Sequence, residues 1–466
     1  MSRRARATLV TVLVAALAGG GCLKKAIPMA TSEQAAAETY VRLVLALGRH
    51  DEAFVDAYYG PEALRTEVAE AAWSLEEINK RAAVLEVDLR RLPPLEGQPD
   101  AELIGLRRAY IARQLNALRT RVSMLRGRRY PFDEESRELY DAVAPRNGES
   151  AFTATLEALD ARLTGPGELP ARFAAFREAF VIPPAKLDAV FTAAIGECRR
   201  RTALHVSLPP GERFTVGYVT NKPWSGYNWY KGQFTSLIEV NTDLPVFIDR
   251  AIDLACHEGY PGHHVYNSLL EQHLVKERGW VEFSVYPLFS PQSLIAEGTA
   301  NYGIQVAFSD AERRAFERDT LFPLAGLDPA RVDEYYDTLA LTRRLSYAGN
   351  EAARGYLDGR MDAARAADWL VRFAMSTPAQ AAQRVKFFDA YRSYVINYNL
   401  GEDLVKGYVE ARAGDDPAAR WEVFAKLLAS PRLPSNLSEP AKGCAPSPSR
   451  SLAPPTRCVS STVPNR

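Results

Sequence analysis

Three of the chain's six histidines fall within one run of eight residues, His257-Glu258-Gly259-Tyr260-Pro261-Gly262-His263-His264, with a glutamate among them. Imidazoles and a carboxylate gathered this tightly point to a metal ion. In the zinc-hydrolase pattern H-E-x-x-H, two histidines one helical turn apart hold zinc and the glutamate after the first serves as general base. His257 and His263 are six residues apart, which on a regular helix is ~240° of rotation, so their rings would face away from each other. His264 returns to the first face, but ~10 Å further along the axis. Pro261-Gly262 removes the conflict, because proline deletes a backbone donor and crowds the preceding turn while glycine tolerates unusual dihedrals. A local bulge over those two residues restores the pattern as His257-Glu258-Gly259-Tyr260-His263. It makes His257 and His263 the favoured ligands, leaves His264 as an alternative or supporting one, and sets Glu258 next to the metal. A polar helix break with no metal is the competing reading.

A zinc site with two histidines commonly completes its protein ligands with a carboxylate from another helix. Glu297 suits that part: its neighbours Ala296, Gly298, Ala300 and Gly303 are small, and small side chains let two helices approach closely. Asn301 and Gln305 follow at four-residue steps on the same face, where they could orient the ligands. Asp253, one turn before His257, is a weaker candidate for holding that ring. Upstream, residues 234–242 are rich in β-branched and apolar types and read as a strand. The loop at 222–230 collects Trp224, Tyr227, Trp229 and Tyr230, which either bind a ligand or cover a core.

The histidine run resembles the H-E-x-x-P-G-H-H signature of a large bacterial family classed by a domain of unknown function and grouped with zincin-like (gluzincin) metallopeptidases. All fixed positions are present: His257, Glu258, Pro261, Gly262, His263 and His264. The family's downstream glutamate-glycine pair corresponds to Glu297-Gly298, followed here by Thr299 where tryptophan is more usual, a departure that bears on pocket shape. Tyr398-Asn399-Leu400-Gly401 resembles the family's Tyr-x-x-Gly element, and the resemblance spans roughly 35–430. It implies metallopeptidase chemistry with Tyr398, ahead of Tyr347 and Tyr394, donating to a developing oxyanion. It also implies that the strand before the metal helix is an edge that pairs with extended peptide, a plain structural hairpin being the alternative.

Composition and the termini bound the remainder. The 466 residues carry 57 basic and 57 acidic side chains and are 47% hydrophobic, so the chain can bury a large core, and no nucleic-acid partner is expected. The Arg-rich span 107–129 has apolar residues at three- and four-residue steps and reads as an amphipathic helix with its arginines in water. Arg3, Arg4 and Arg6 precede a short apolar run and Gly19-Gly20-Gly21-Cys22, the shape of an export signal. The run is too short for a stable span. The pattern favours lipid attachment at Cys22 and a place at the cell envelope, with a plainly secreted form as the alternative because Gly19 stands where an aliphatic residue is usual. Cys256 points into packing, and Cys444 and Cys458 are either paired or free.

Four regions follow: a signal peptide at 1–22, a helical region at 23–205, a zincin-like catalytic region at 206–433, and a Pro/Ser/Arg-rich disordered tail at 434–466. The fold expected is mainly α, with a small β-sheet next to the metal helix. The function expected is an exported Zn2+-dependent peptidase of short peptides, with Glu258 and Tyr398 catalytic and His257, His263 and Glu297 as ligands. A lipid-anchored protein that binds peptides or partners without cutting them is the alternative, and an ester or another amide could replace the peptide substrate.

Overall fold

The computed structural model describes residues 29–97 and 99–438. The signal segment with Cys22, and Cys444 and Cys458, lie outside them. The chain is mainly α-helical with two small sheets. Helix α1 (Glu33–Gly48) starts at Ser32, whose hydroxyl oxygen accepts from the Ala35 N–H and so satisfies an amide that a helix start leaves free. Its residues Ala36, Ala37, Tyr40, Val41, Val44 and Leu47 are buried at three- and four-residue steps, so α1 runs through the core. Strand β1 (Val55–Tyr58) follows.

Helix α2 (Ala101–Leu125) buries Ile111, Leu115, Leu118 and Val122 as its periodicity predicts. Its arginines do not all face water. Arg107 is buried and donates two hydrogen bonds to Glu282, at 2.5 and 2.9 Å, with its guanidinium over the Trp280 ring. A bidentate carboxylate and an aromatic face replace the water that a buried guanidinium loses.

Helix α3 (Leu187–Ala203) leads to β2 (Arg213–Val219), β3 (Gly226–Gly232) and β4 (Thr235–Asn241). β4 pairs in parallel with β2 and antiparallel with β3. The strand at 234–242 is therefore present but central, with both sides occupied, and cannot be the edge expected to pair with peptide. β3 is an edge instead. Helix α4 (Asp249–Leu254) then widens into a π turn over Ala255–Gly259, the chain breaks at a cis Tyr260–Pro261 bond, and α5 (His263–Leu270) begins. β5 (Val285–Pro287) pairs antiparallel with β1, and α6 (Pro291–Ala307), α7 (Pro378–Tyr391), α8 (Ile396–Ala413) and α9 (Pro417–Leu428) complete the elements around the cleft.

Among the described residues α6 and α8 form the most extensive helix pair. They cross at Gly298 and Gly401, where a Cβ on either would overlap backbone of the other helix. Gly303, a turn and a half further along α6, brings Pro261 and Phe424 against it. One apolar core runs from α1 through to Leu437, and Glu135 from the N-terminal helices accepts from Arg392 and the Ser393 hydroxyl at 2.8 and 2.7 Å. The N-terminal helices and the elements around the cleft are thus packed on one another. Pro434–Leu437, expected to open the disordered tail, instead forms a last helical turn whose Pro434 and Leu437 are buried, and the rest of that tail from 439 lies outside the described residues. No helix among the described residues is long and apolar enough to cross a membrane.

Cys256 does more than pack: it forms a disulfide with Cys198 of α3, 58 residues away in sequence. Closing a loop of that length stabilises the fold by about 4 kcal/mol, chiefly by constraining the unfolded chain. Cys198→Ser should therefore lose about 4 kcal/mol in a denaturant titration, and the wild type under reducing agent should lose the same.

Candidate metal centre

The break between α4 and α5 turns two histidines six residues apart towards one another. In the π turn the Tyr260 N–H donates to the Ala255 carbonyl at 3.1 Å, and the Gly262 N–H reaches back to Cys256 at 2.9 Å. These bonds are longer in register than the four-residue step of an α-helix, so the last turn is wide. Only glycine fits at 262, because a Cβ there would overlap the His257 carbonyl. The expected two-residue bulge is a fuller break, in which one helix ends wide and a second begins at His263.

The His257 and His263 rings meet nearly perpendicular, with centroids 4.7 Å apart. Glu297 arrives from α6, its Oε2 lying 3.2 Å from His257 Nε2 and 3.7 Å from His263 Nε2. Ligand atoms of the three residues all lie within 4.8 Å of one another. Glu297 Oε1 accepts from the Tyr394 hydroxyl at 2.8 Å, but Oε2 is buried and has no hydrogen-bond partner. A bare carboxylate oxygen close to two ring nitrogens is costly unless a proton or a cation sits among them. Two imidazoles and a carboxylate are also a donor set that suits zinc.

Further residues aim the ligands. His257 Nδ1 lies 2.8 Å from Asn301 Oδ1, and Asn301 Nδ2 donates to the Tyr398 carbonyl at 2.9 Å. An amide oxygen only accepts, so Nδ1 carries a hydrogen and Nε2 is the nitrogen turned to Glu297, where a proton or a cation can sit. Gln305 does not share this role: it donates to Glu402 and accepts from Lys406. Nor does Asp253, which ion-pairs with Arg313 at 2.8 Å and Arg250 at 3.4 Å.

Burial opposes charge on His257, but the Glu297 and Glu258 carboxylates outweigh it and hold its pKa up at about 9. Burial likewise works against the Glu297 charge, and the two imidazoles overcome it to hold that carboxyl far below its ordinary range. A cation entering the cluster must displace the His257 proton. Below about pH 9, zinc uptake should release about one proton and weaken as the pH falls, which calorimetry in buffers of different ionisation enthalpy would measure.

Glu258 is 4% exposed, with its Oε2 unpartnered, and lines the cleft. Burial raises its pKa, against the pull of the two imidazoles. Asn228 Nδ2 of β3 donates to the Glu258 carbonyl at 2.7 Å, holding the edge strand to the π turn. A Cβ on Gly226 would crowd Glu258 Oε1.

His264, the alternative ligand, turns away from the cluster and is fully buried. Its Nδ1 lies 2.8 Å from Ser236 Oγ and its Nε2 lies 3.0 Å from Glu212 Oε2. Glu212 also accepts from the Tyr260 hydroxyl at 2.5 Å and from Arg199 at 2.6 Å. This knot fastens the β-sheet to the back of the metal helix. The second histidine of the His263-His264 pair is thus a fastening, one step of ~100° round the helix from the one that faces Glu297.

The cleft holds about 600 Å³ and is walled by Trp224, Tyr227, Phe387, Tyr391 and Tyr398. Part of the aromatic loop therefore faces the cleft, while the Trp229 indole donates to Glu239 at 2.8 Å across the hairpin. Tyr398 stands beside Tyr394, ring centroids 5.9 Å apart, but it is Tyr394 that touches Glu297. Burial and the Glu297 charge raise both phenols well above the ordinary tyrosine value, so both stay protonated donors. Tyr347 bonds Asp403 instead. Thr299 is buried, donates to the Ile295 carbonyl at 2.7 Å and does not line the cleft.

No protein-family model matches the sequence, and no curated protein sequence matches it. A solved structure described as "the putative lipoprotein from Colwellia psychrerythraea" is similar at 16% identity and a TM-score of 0.48, covering 88% of this chain and 76% of that one. Another, described as BsuCP, is similar at 10% identity and a TM-score of 0.41, covering 86% and 88%.

Proposed function

We propose that the chain is an exported zinc-dependent metallopeptidase of short peptides, with zinc held by His257, His263 and Glu297. The reading rests on Glu297 Oε2, buried with no neighbour to satisfy it but two imidazole nitrogens at 3.2 and 3.7 Å. Zinc bound there supplies a Lewis acid that polarises a carbonyl and makes water nucleophilic near neutral pH. Glu258 offers a bare Oε2 and a pKa raised by burial, so it can take the proton from water and pass it to the leaving amine. The protonated Tyr398 hydroxyl lies along the same cleft to donate to the carbonyl oxygen as it gains charge.

The edge strand β3 suits an extended peptide. In an antiparallel pair, alternate residues turn their N–H and C=O away from the partner strand, so β3 offers main-chain groups beside Glu258 where β4 cannot. Export rests on the N-terminal pattern, and the Cys198–Cys256 disulfide suits an oxidising compartment.

Metal analysis of the purified protein should find about one zinc per chain, and a marked loss in His263→Ala. The wild type should cut a library of short peptides, stop after chelation and resume when zinc is restored. Hydrolysis that survives complete zinc removal, or a wild type that takes up no metal, would overturn the reading. Zinc retained with only esters or other amides cut would move the same chemistry to a different carbonyl.

A further inference from the structure

Most of the charged side chains around the cleft are already paired. Arg177 bonds Asp249 and Tyr335, Arg250 bonds Asp253 and Ser225, and Arg313 bonds Asp253 and Glu317. Arg343, which is exposed, and Arg384 of α7, which is half-buried, have no such partner; Arg384 is the one held in place. It lines the same cleft, yet among the described residues it has neither a carboxylate partner nor a hydrogen-bond acceptor. Its guanidinium sits instead against aromatic rings, 4.6 Å from the Phe387 centroid, 5.8 Å from Phe388 and 5.7 Å from Tyr398. Packing against rings fixes the guanidinium plane and leaves its half-buried N–H edge facing the cleft, open to a ligand. Burial lowers the Arg384 pKa, the mark of a cation with too little compensation.

An arginine held this way is built to receive a planar anion, and a carboxylate matches its fork in two parallel hydrogen bonds. Its place narrows the choice. Arg384 packs on Tyr398, Tyr398 packs on Tyr394, and Tyr394 donates to the ligand Glu297. An anion there would lie within a few extended residues of the metal cluster, each residue spanning ~3.5 Å. The surrounding Phe387, Tyr391 and Tyr398 rings offer apolar cover to one side chain. A terminal carboxylate with one residue's side chain among these rings fills the site as a single unit.

We propose that Arg384 binds the C-terminal carboxylate of the substrate, so that the enzyme removes residues from the carboxyl end of peptides. This rests on the peptidase reading for its catalytic consequence, but not for the binding itself.

The test compares short peptides as the free acid, as the C-terminal amide, and as the amide with a glutamate at the last position. Wild type should cut the free acid near its carboxyl end. Amidation should lower kcat/KM roughly a hundredfold, the effect of removing one partner of a buried charge pair, and the glutamate side chain should not restore it. Arg384→Met should treat acid and amide alike at the low rate while keeping its zinc. Equal cleavage of acid and amide by wild type would overturn the proposal and leave the peptidase reading standing, and this arm needs no variant to fold. Rescue of the amide by glutamate would overturn it by assigning Arg384 to an acidic side chain. Calorimetric binding of the same peptides to zinc-loaded wild type and Glu258→Gln separates the two ideas. Tight, Arg384-dependent binding of the acid without cleavage by wild type would sink the peptidase reading but uphold the anchor.

Discussion

Glu258→Gln should lose about three orders of magnitude in peptide turnover while keeping its zinc and its melting temperature. General-base catalysis by a positioned carboxylate is worth ~10²–10⁴-fold, and glutamine keeps the shape while removing the proton acceptor. Zinc should stay because Glu258 is not one of the three residues whose ligand atoms converge. Stability should not fall, and the sign follows from burial. The Glu258 carboxyl has its pKa raised by desolvation and its Oε2 bare. A raised pKa means that the ionised form costs folding free energy at pH values above the unfolded value, and the neutral amide removes that cost. Steady-state kinetics, zinc analysis and a thermal melt on one preparation test all three statements. Turnover within tenfold of wild type at full zinc occupancy would remove Glu258 from the mechanism.

The same physics explains which parts of the site were legible in the sequence. His257, Glu258 and His263 could be read because a local pattern carries their chemistry, and the proline and glycine between them announced that the helix had to break. Glu297 could be read because small neighbours marked a close helix contact. Asn301 followed from the four-residue period. Tyr394 was legible only as one of three candidate oxyanion donors; its bond to Glu297 joins residues 97 apart, and no period links α6 to the turn before α8.

Side chains whose role is set by distant partners were the ones misplaced. His264 looks like a ligand beside His263, but Glu212, 52 residues earlier, determines what it does. Asp253 stands one turn from His257, yet Arg313 captures it. Cys256 pairs with Cys198 across 58 residues with no spacing rule to reveal the match. β4 has a clear strand pattern, but alternation cannot distinguish a central strand from an edge one when its neighbours lie elsewhere in the chain. Arg384 carries no motif at all. Its significance is the absence of a partner, which only a folded arrangement can display.

Gly298→Ala should destabilise the protein by about 3 kcal/mol and weaken zinc binding at least tenfold. Gly298 sits where α6 meets α8, and a methyl group there would meet the Gly401 backbone. Backbone cannot swing aside as a side chain can, so the helices must separate, at the upper end of ordinary overpacking costs. Separation moves Glu297, the preceding residue, away from the Tyr394 hydroxyl in the turn that leads into α8 and moves Asn301 away from the Tyr398 carbonyl of α8 itself. The Glu297-Gly298 pair and the Tyr398-to-Gly401 element are thus two sides of one contact, the glycines setting the distance and the polar residues using it. Gly196 in α3 is the control. Nothing lies within 4 Å of a Cβ built there, so Gly196→Ala should gain up to ~1 kcal/mol from helix propensity with zinc affinity unchanged. Denaturant midpoints and competitive zinc titrations on the two variants decide the matter. A Gly298→Ala protein as stable as wild type would mean that the helix crossing does not hold the ligand in place.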